Sequence, residues 1–146
     1  MDIRTHLYAS TLLGGTLYSL TQSKQVAILS FLSGVFIDLD HVFDFLIFSK
    51  EKLSIRNIFS WCENVRWKRI TLIFHSYEIF LILCIITYYF PDNILIGILS
   101  GMGLHLMLDQ IGNHRRFGLS LWFYFFIYRA LAGFHKDNLR ITDLNQ

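Results

Sequence analysis

The chain of 146 residues is 53% hydrophobic and 16% aromatic, but only 16% of its residues are charged, below the roughly 25% of an average soluble domain. Its length allows one domain with a core of its own, and its net charge of +2 gives no electrostatic reason to expect nucleic acid as a partner. Cys62 and Cys84 lack metal-type spacing and do not indicate a disulfide framework. We expect no cleavable signal peptide, because no small-residue cleavage pattern follows the first apolar stretch.

Five apolar segments follow in chain order, at residues 5–20, 24–48, 70–90, 94–111 and 119–134, with a turn at 91–93. Because Pro91 is the only proline, helices are favoured. Most segments approach the ~20 residues that cross a bilayer. We therefore predict an all-α fold in one membrane domain over residues 1–146. It would be an antiparallel bundle of four transmembrane helices plus an aromatic fifth helix, either spanning or interfacial. Buried helices of a soluble all-α domain would have a similar pattern and remain an alternative.

The loop at residues 49–69 interleaves six basic residues with apolar and aromatic ones. This pattern is typical of an amphipathic stretch that contacts anionic lipid head groups, although a solvated basic loop fits equally well. The turn at 91–93 has no basic residue, whereas Arg115 and Arg116 follow the fourth segment. The positive-inside rule then predicts a multi-pass protein of the inner membrane with a cytoplasmic N-terminus. Residues 135–146 form a polar tail.

Four of these segments carry a histidine, and the predicted topology places the ionisable groups at the same end of the bundle. Such groups are costly inside apolar elements, so we interpret them as a functional site. Histidine and carboxylate side chains bind zinc and similar divalent ions. The candidate ligands of one or two such ions, most simply zinc, are His6, Asp38, Asp40, His41, His75, His105 and Asp109.

Two of the ligand groupings have competing structural explanations. His105 and Asp109 are four residues apart and share a helix face, but a simple His–Asp hydrogen bond gives the same spacing. The residues from Asp38 to Asp44 include three carboxylates, which repel each other unless a cation neutralises them. The alternative is a helix end in water, where aspartates act as caps.

Three further features complete the predicted site. Glu78 or Asp44 would accept the proton in catalysis, although an ion pair with the basic loop would also explain Glu78. The small-residue pairs Gly97/Gly101 and Ser30/Gly34 let helices approach closely. Such an approach would bring the ligand-bearing faces together.

The ordered motifs resemble the predicted membrane-bound metal-dependent hydrolases of bacteria and archaea. They are Thr5-His6, Asp38-Leu39-Asp40-His41, Arg69 leading to His75-Ser76, and His105 with Asp109. The resemblance covers residues 5 to about 113 and implies metal-dependent hydrolysis. That family is distantly similar to zinc-dependent phospholipase C enzymes, which are all-helical and use His and Asp ligands. The likeness implies a phosphoester substrate.

The sequence therefore favours a membrane-embedded metal-dependent hydrolase of a phosphoester or lipid-linked substrate. A bound metal ion would lower the pKa of its water from 15.7 toward ~7. Lys68 and Arg69 would hold an anionic head group, and membrane lipids would be partners. The alternatives are a metal-binding or ion-translocating membrane protein without catalysis, and a membrane protein with a buried polar network and no metal.

Overall fold

Seven α-helices make up most of the computed structural model, which describes residues 3–139 without the side chains of residues 3 and 63. The helices are α1 (Ile3–Thr21), α2 (Lys24–Phe36), α3 (Leu39–Phe48), α4 (Ile55–Glu63), α5 (Tyr77–Tyr89), α6 (Asn93–Phe117) and α7 (Phe126–Leu131). Two short 3-10 turns cover Leu121–Tyr124 and Lys136–Asn138. The described residues contain no strand, so the predicted all-α class is confirmed. Residues 140–146 of the predicted polar tail lie outside the described residues.

Helix α2 packs against both α1 and α6, and small residues bring α2 and α6 close together. A Cβ atom added to Gly101 would overlap the backbone oxygen of Ser30 and the hydroxyl of Ser33. A Cβ atom added to Gly97 would lie 3.0 Å from the backbone oxygen of Val26. Glycine is therefore required at this crossing, where the two backbones approach each other closely.

The predicted helix at 24–48 is wrong as a continuous element, because the chain turns at Ile37 and Asp38 between α2 and α3. The amide N–H groups of Asp40 and His41 bond back to the carbonyl oxygens of Ile37 and Asp38, both at 3.1 Å. These three-residue steps are tighter than those of an α-helix and separate α2 from α3.

The predicted helix at 70–90 is correct only from Tyr77 onward. Ser76 ends the non-helical part and caps α5, accepting a 3.3 Å hydrogen bond from the amide of Ile79. We call the non-helical stretch the 70–76 segment. Its amide groups bond to carboxylates of α3, and these tertiary hydrogen bonds replace the bonds within a helix.

The predicted aromatic helix at 119–134 is also wrong as a single element. Its residues form the 3-10 turn Leu121–Tyr124 and the six-residue α7. Arg129 of α7 is fully buried, which anchors this region in the protein interior. The basic loop at 49–69 contains α4.

Two described segments are long and apolar enough to cross a membrane, namely Lys24–Phe48, which includes the turn, and α6. Helix α5 has 13 residues, well short of the ~20 that span a bilayer. The prediction of four transmembrane helices is therefore not supported.

Candidate metal centre

Four side chains from distant parts of the chain converge at the end of α6. They are Asp38 in the turn, His75 at the end of the 70–76 segment, and His105 and Asp109 on α6. One ligand atom from each lies within 4.8 Å of the other three, so this buried group could bind a metal ion. We call these residues the four-ligand group.

The spacing of the ligand atoms suits a tetrahedral ion. His75 Nε2 lies 3.1 Å from His105 Nε2, and each nitrogen lies 3.4 Å from Asp38 Oδ1. Asp109 Oδ2 lies 3.5 Å from the His75 nitrogen and 3.7 Å from the His105 nitrogen. In a tetrahedron, ligand atoms bound at ~2.0–2.1 Å from zinc are separated by roughly 3.3 Å. The four-ligand group thus has nearly the dimensions of a zinc site.

The hydrogen bonds of the two histidines leave both inner nitrogens available as ligands. His105 Nδ1 lies 2.8 Å from the carbonyl oxygen of Gly34, which can only accept, so Nδ1 carries the hydrogen. His75 Nδ1 lies 3.3 Å from a carboxylate oxygen of Asp40 and donates in the same way. In a neutral imidazole the other nitrogen then bears a lone pair. Two such lone pairs face each other at 3.1 Å, and a metal ion bound by both nitrogens or a proton shared between them would relieve the repulsion.

The electrostatic surroundings of His75 favour positive charge. Burial lowers the pKa of this histidine, but its hydrogen bonds with Asp38 and Asp40 and the charge of Asp109 outweigh burial and raise the pKa to about 9. Buried carboxylates are costly unless a cation compensates them. The four-ligand group is therefore suited to a cation at its centre.

Carboxylates of α3 and a buried arginine of α7 hold the 70–76 segment that carries His75. Asp40 accepts hydrogen bonds from the amides of Phe74 and His75. Asp44 accepts from the amides of Thr71 and Leu72 and from the Thr71 hydroxyl. This network fixes the backbone on which His75 is mounted.

Arg129 completes that network from the other side. Its guanidinium donates to the carbonyl oxygens of Thr71 at 3.0 Å, Leu72 at 2.8 Å and His75 at 3.3 Å, and also to that of Phe123. Burial lowers the pKa of Arg129 to about 10, so the side chain remains charged at neutral pH. Arg129 was not among the predicted site residues. A lone arginine within an aromatic run was the available signal.

Two predicted ligands, His6 and His41, lie beside the four-ligand group. His6 Nε2 is 3.0 Å from Asp109 Oδ1, which leaves Oδ2 of Asp109 to face the centre. The His6 ring also stacks on His105, with 4.1 Å between ring centroids. His41 Nε2 lies 3.9 Å from Asp38 Oδ1. Within the described residues, Nδ1 of neither His6 nor His41 has a hydrogen-bond partner.

The structure places the remaining predicted residues in other roles. Asp40 and Asp44 bind backbone amides, as described above, so they support the centre from outside the four-ligand group. Glu78 accepts hydrogen bonds of 2.9 Å from the amides of Phe126 and Ile127 and so caps α7. These bonds lower the pKa of Glu78, although burial opposes them.

Of the two predicted head-group contacts, Arg69 has its side chain engaged elsewhere, and Lys68 has its backbone carbonyl engaged. Arg69 Nε donates to His135 Nε2 at 2.8 Å. The carbonyl oxygen of Lys68 accepts from the amide of Lys136. Neither Lys68 nor Arg69 lines the cavity described next.

A cavity of about 280 Å³ adjoins the four-ligand group. Asp38, His75 and Asp109 line it together with His41, and the rest of the wall is mostly apolar. Asp38 retains about a quarter of its side-chain exposure, with a relative accessibility of 26%. The centre is thus reachable from the cavity on one side.

No protein family model, curated protein sequence or solved structure matches this chain.

Proposed function

We propose that the protein is a membrane-attached, metal-dependent hydrolase that acts on a phosphoester. The observation that carries the proposal is the convergence of two imidazole nitrogens and two carboxylates beside an apolar cavity. The competing arrangement is a hydrogen-bonded network without metal, in which a protonated His75 donates through both ring nitrogens, and the metal content of the purified protein distinguishes the two. The ordered motifs that resemble metal-dependent hydrolases support the same reading.

The asymmetry of the centre supports catalysis. His105 is buried behind the group, whereas Asp38, His75 and Asp109 border the cavity. Catalytic zinc sites keep one position for water or substrate, and because four side chains fill the tetrahedron here, water or substrate would take a fifth position on the cavity side. A divalent ion held by these residues would acidify a bound water and polarise a phosphoryl oxygen.

His41 is the best-placed residue to exchange a proton with a reacting water. Its ring borders the cavity next to Asp38 and lies outside the four-ligand group. A general base must be within hydrogen-bond reach of its proton donor, and His41 lines the cavity whereas Asp44 and Glu78 do not. The bonds of Asp44 and Glu78 to backbone amides commit both carboxylates to structural contacts.

Attachment to the membrane is supported by apolar surface. Besides the two candidate spans, large apolar side chains such as Leu12, Leu20 and Tyr88 are exposed. Exposed apolar side chains on α1 and α5 support contact of these helices with a membrane. The basic residues of the 49–69 loop support an inner-membrane protein with this end in the cytoplasm.

The test is phosphoesterase activity of detergent-purified protein after loading with zinc or manganese. We expect hydrolysis of a generic phosphodiester by the wild type, and at least a hundredfold loss in Asp109→Asn and His41→Gln. Asp92→Asn is the matched control, because Asp92 is an exposed acid at the start of the same helix as Asp109. Equal activity in Asp109→Asn and Asp92→Asn would contradict the proposal.

A non-catalytic metal site is the second candidate. Four protein ligands at tetrahedral spacing are also typical of structural zinc sites. In that case Asp109→Asn would lose metal and stability, and metal-loaded wild type would hydrolyse no phosphoester.

A further inference from the structure

The cavity beside the four-ligand group has two chemically distinct parts, an apolar wall and a cationic rim. The wall includes Phe36, Leu39, Ile58 and Phe59, contributed by α2, α3 and α4. Arg116 is the one arginine or lysine among the described residues that line the cavity. Such a combination suits a ligand that is part hydrocarbon and part anion.

The position of Arg116 relates it directly to the metal centre. Asp109, Asn113 and Arg116 all line the cavity and follow one another at positions i, i+4 and i+7 of α6, so they share one helix face. Arg116 lies about 10 Å along the axis from Asp109 at 1.5 Å per residue. Helical side chains lean toward the N-terminus, so the Arg116 side chain leans toward the centre. An anion between them can contact both.

The charges of the centre leave Arg116 available for a ligand. Two carboxylates of the four-ligand group offset the charge of a divalent ion. Within the described part of the chain, no carboxylate forms an ion pair with Arg116, whose guanidinium carbon lies 5.0 Å above the Phe117 ring centre. Arginine binds phosphate through two parallel hydrogen bonds. The positive charge at the rim is therefore complementary to a phosphate group.

The size of the cavity limits the apolar part of the ligand. At about 280 Å³ it lies just below the roughly 300–1,000 Å³ that hold drug-sized ligands. This volume suits a head group with one hydrocarbon chain, rather than a lipid with two full chains.

We propose that the cavity binds a single-chain alkyl phosphate or its ester, with Arg116 holding the phosphate and the apolar wall taking the chain. This inference rests on the proposed function for its metal centre, and it adds the substrate class and a specificity-determining residue. Arg116 replaces Lys68 and Arg69 as the contact for the anion.

The test measures binding of dodecyl phosphate to zinc-loaded protein in a non-ionic detergent, by calorimetry. Butyl phosphate, dodecanol and inorganic phosphate separate the contributions of chain and anion. We expect dodecyl phosphate to bind best, and Arg116→Gln to weaken it roughly ten- to a hundredfold. Arg115→Gln is the matched control, since Arg115 is an exposed neighbour that does not line the cavity. It should change the affinity less than about twofold.

Three results would overturn the inference. They are equal losses in Arg116→Gln and Arg115→Gln, butyl or inorganic phosphate binding as tightly as dodecyl phosphate, and dodecanol binding as tightly as its phosphate. Vesicles of a two-chain phospholipid provide another arm, and tighter binding to them than to dodecyl phosphate would exclude the single-chain ligand.

The same preparation separates this inference from the proposed function. Arg116-dependent binding without hydrolysis of any phosphoester would retain the inference and refute the hydrolase. Hydrolysis of water-soluble phosphodiesters that is unaffected by Arg116→Gln, together with no chain-dependent binding, would refute the inference and retain the hydrolase.

Discussion

Helix α6 and the 70–76 segment each bring a histidine to the four-ligand group, but they are positioned by different forces. His105 is placed by close packing, because glycines let α6 lie against α2 and the Gly34 carbonyl orients its ring. His75 is placed by polar contacts, because Asp40, Asp44 and Arg129 bind the backbone around it. The comparison shows that buried charged side chains can position one histidine, while close helix packing positions the other.

The largest effect should come from replacing Arg129, which removes its hydrogen bonds to the 70–76 segment. Arg129→Met leaves four carbonyl groups without their donor, and each buried unsatisfied group costs about 1–3 kcal/mol. We expect a loss of about 3–5 kcal/mol in the free energy of unfolding, measured by denaturant titration. Arg115→Met, at an exposed site, is the control. A loss similar to that of the control would mean that Arg129 does not hold the segment.

The close packing of α6 against α2 is tested by substituting Gly101. Gly101→Ala places a methyl group 2.8 Å from the backbone nitrogen of Gly34, besides its overlap with α2. Overpacking of this kind costs about 1–3 kcal/mol, so thermal unfolding should shift to lower temperature. Gly15→Ala is the control, because a Cβ there meets nothing within 4 Å and should stabilise α1 by about 0.5–1 kcal/mol. Shifts of the same sign in both variants would contradict the close-packed crossing.

Asp40 links the polar network to the four-ligand group. Asp40→Asn keeps all four ligands, but it weakens the hydrogen bond that orients His75. Such changes typically reduce metal affinity about 10–100-fold, which a competition titration with a zinc chelator would measure. Asp44→Asn, which touches Thr71 and Leu72 but not the His75 ring, should reduce affinity less. A larger loss of zinc affinity in Asp44→Asn than in Asp40→Asn would exclude a direct role for Asp40 in orienting His75.

The smallest effect is expected at Glu78, on the far side of the network. Glu78→Gln removes a charged cap from α7 and should cost about 1 kcal/mol at neutral pH. The pKa of Glu78 is lowered in the folded state, so its contribution is present above its unfolded pKa and is lost as pH falls through the folded pKa. The gap in unfolding free energy between wild type and variant should therefore close in acid. A difference in unfolding free energy that grows as the pH falls would exclude the role of Glu78 as a charged cap of α7.

The sequence predicts the part of the site that α6 contributes better than the part held by polar contacts around the 70–76 segment. The spacing of His105 and Asp109 holds because α6 is an unbroken helix, and Gly97 and Gly101 indicate a close crossing by their size alone. The conformation of the 70–76 segment could not be predicted, because it depends on tertiary hydrogen bonds to Asp40 and Asp44 of α3. Those bonds join residues about thirty positions apart, which helical periodicity does not encode.

The same reasoning explains the carboxylates between positions 38 and 44. In sequence, Asp38 and Asp40 are equivalent candidate ligands, and Asp44 is a candidate proton acceptor. The turn before α3 sends Asp38 to the four-ligand group, while Asp40 and Asp44 bind amides of the 70–76 segment. Arg129 and Arg116 differ in a similar way, one buried against carbonyl oxygens and the other exposed at the cavity rim.

The most direct test of the account is the metal content of detergent-purified protein, determined by elemental analysis of the wild type, His75→Ala, His105→Ala and His114→Gln. His114 lies exposed on the same helix as His105 and serves as the control. The account predicts one equivalent of a divalent transition metal in the wild type and His114→Gln, and nearly none in His75→Ala and His105→Ala. Wild-type protein that takes up no metal from zinc-containing buffer, or an equal metal content in all four proteins, would contradict it.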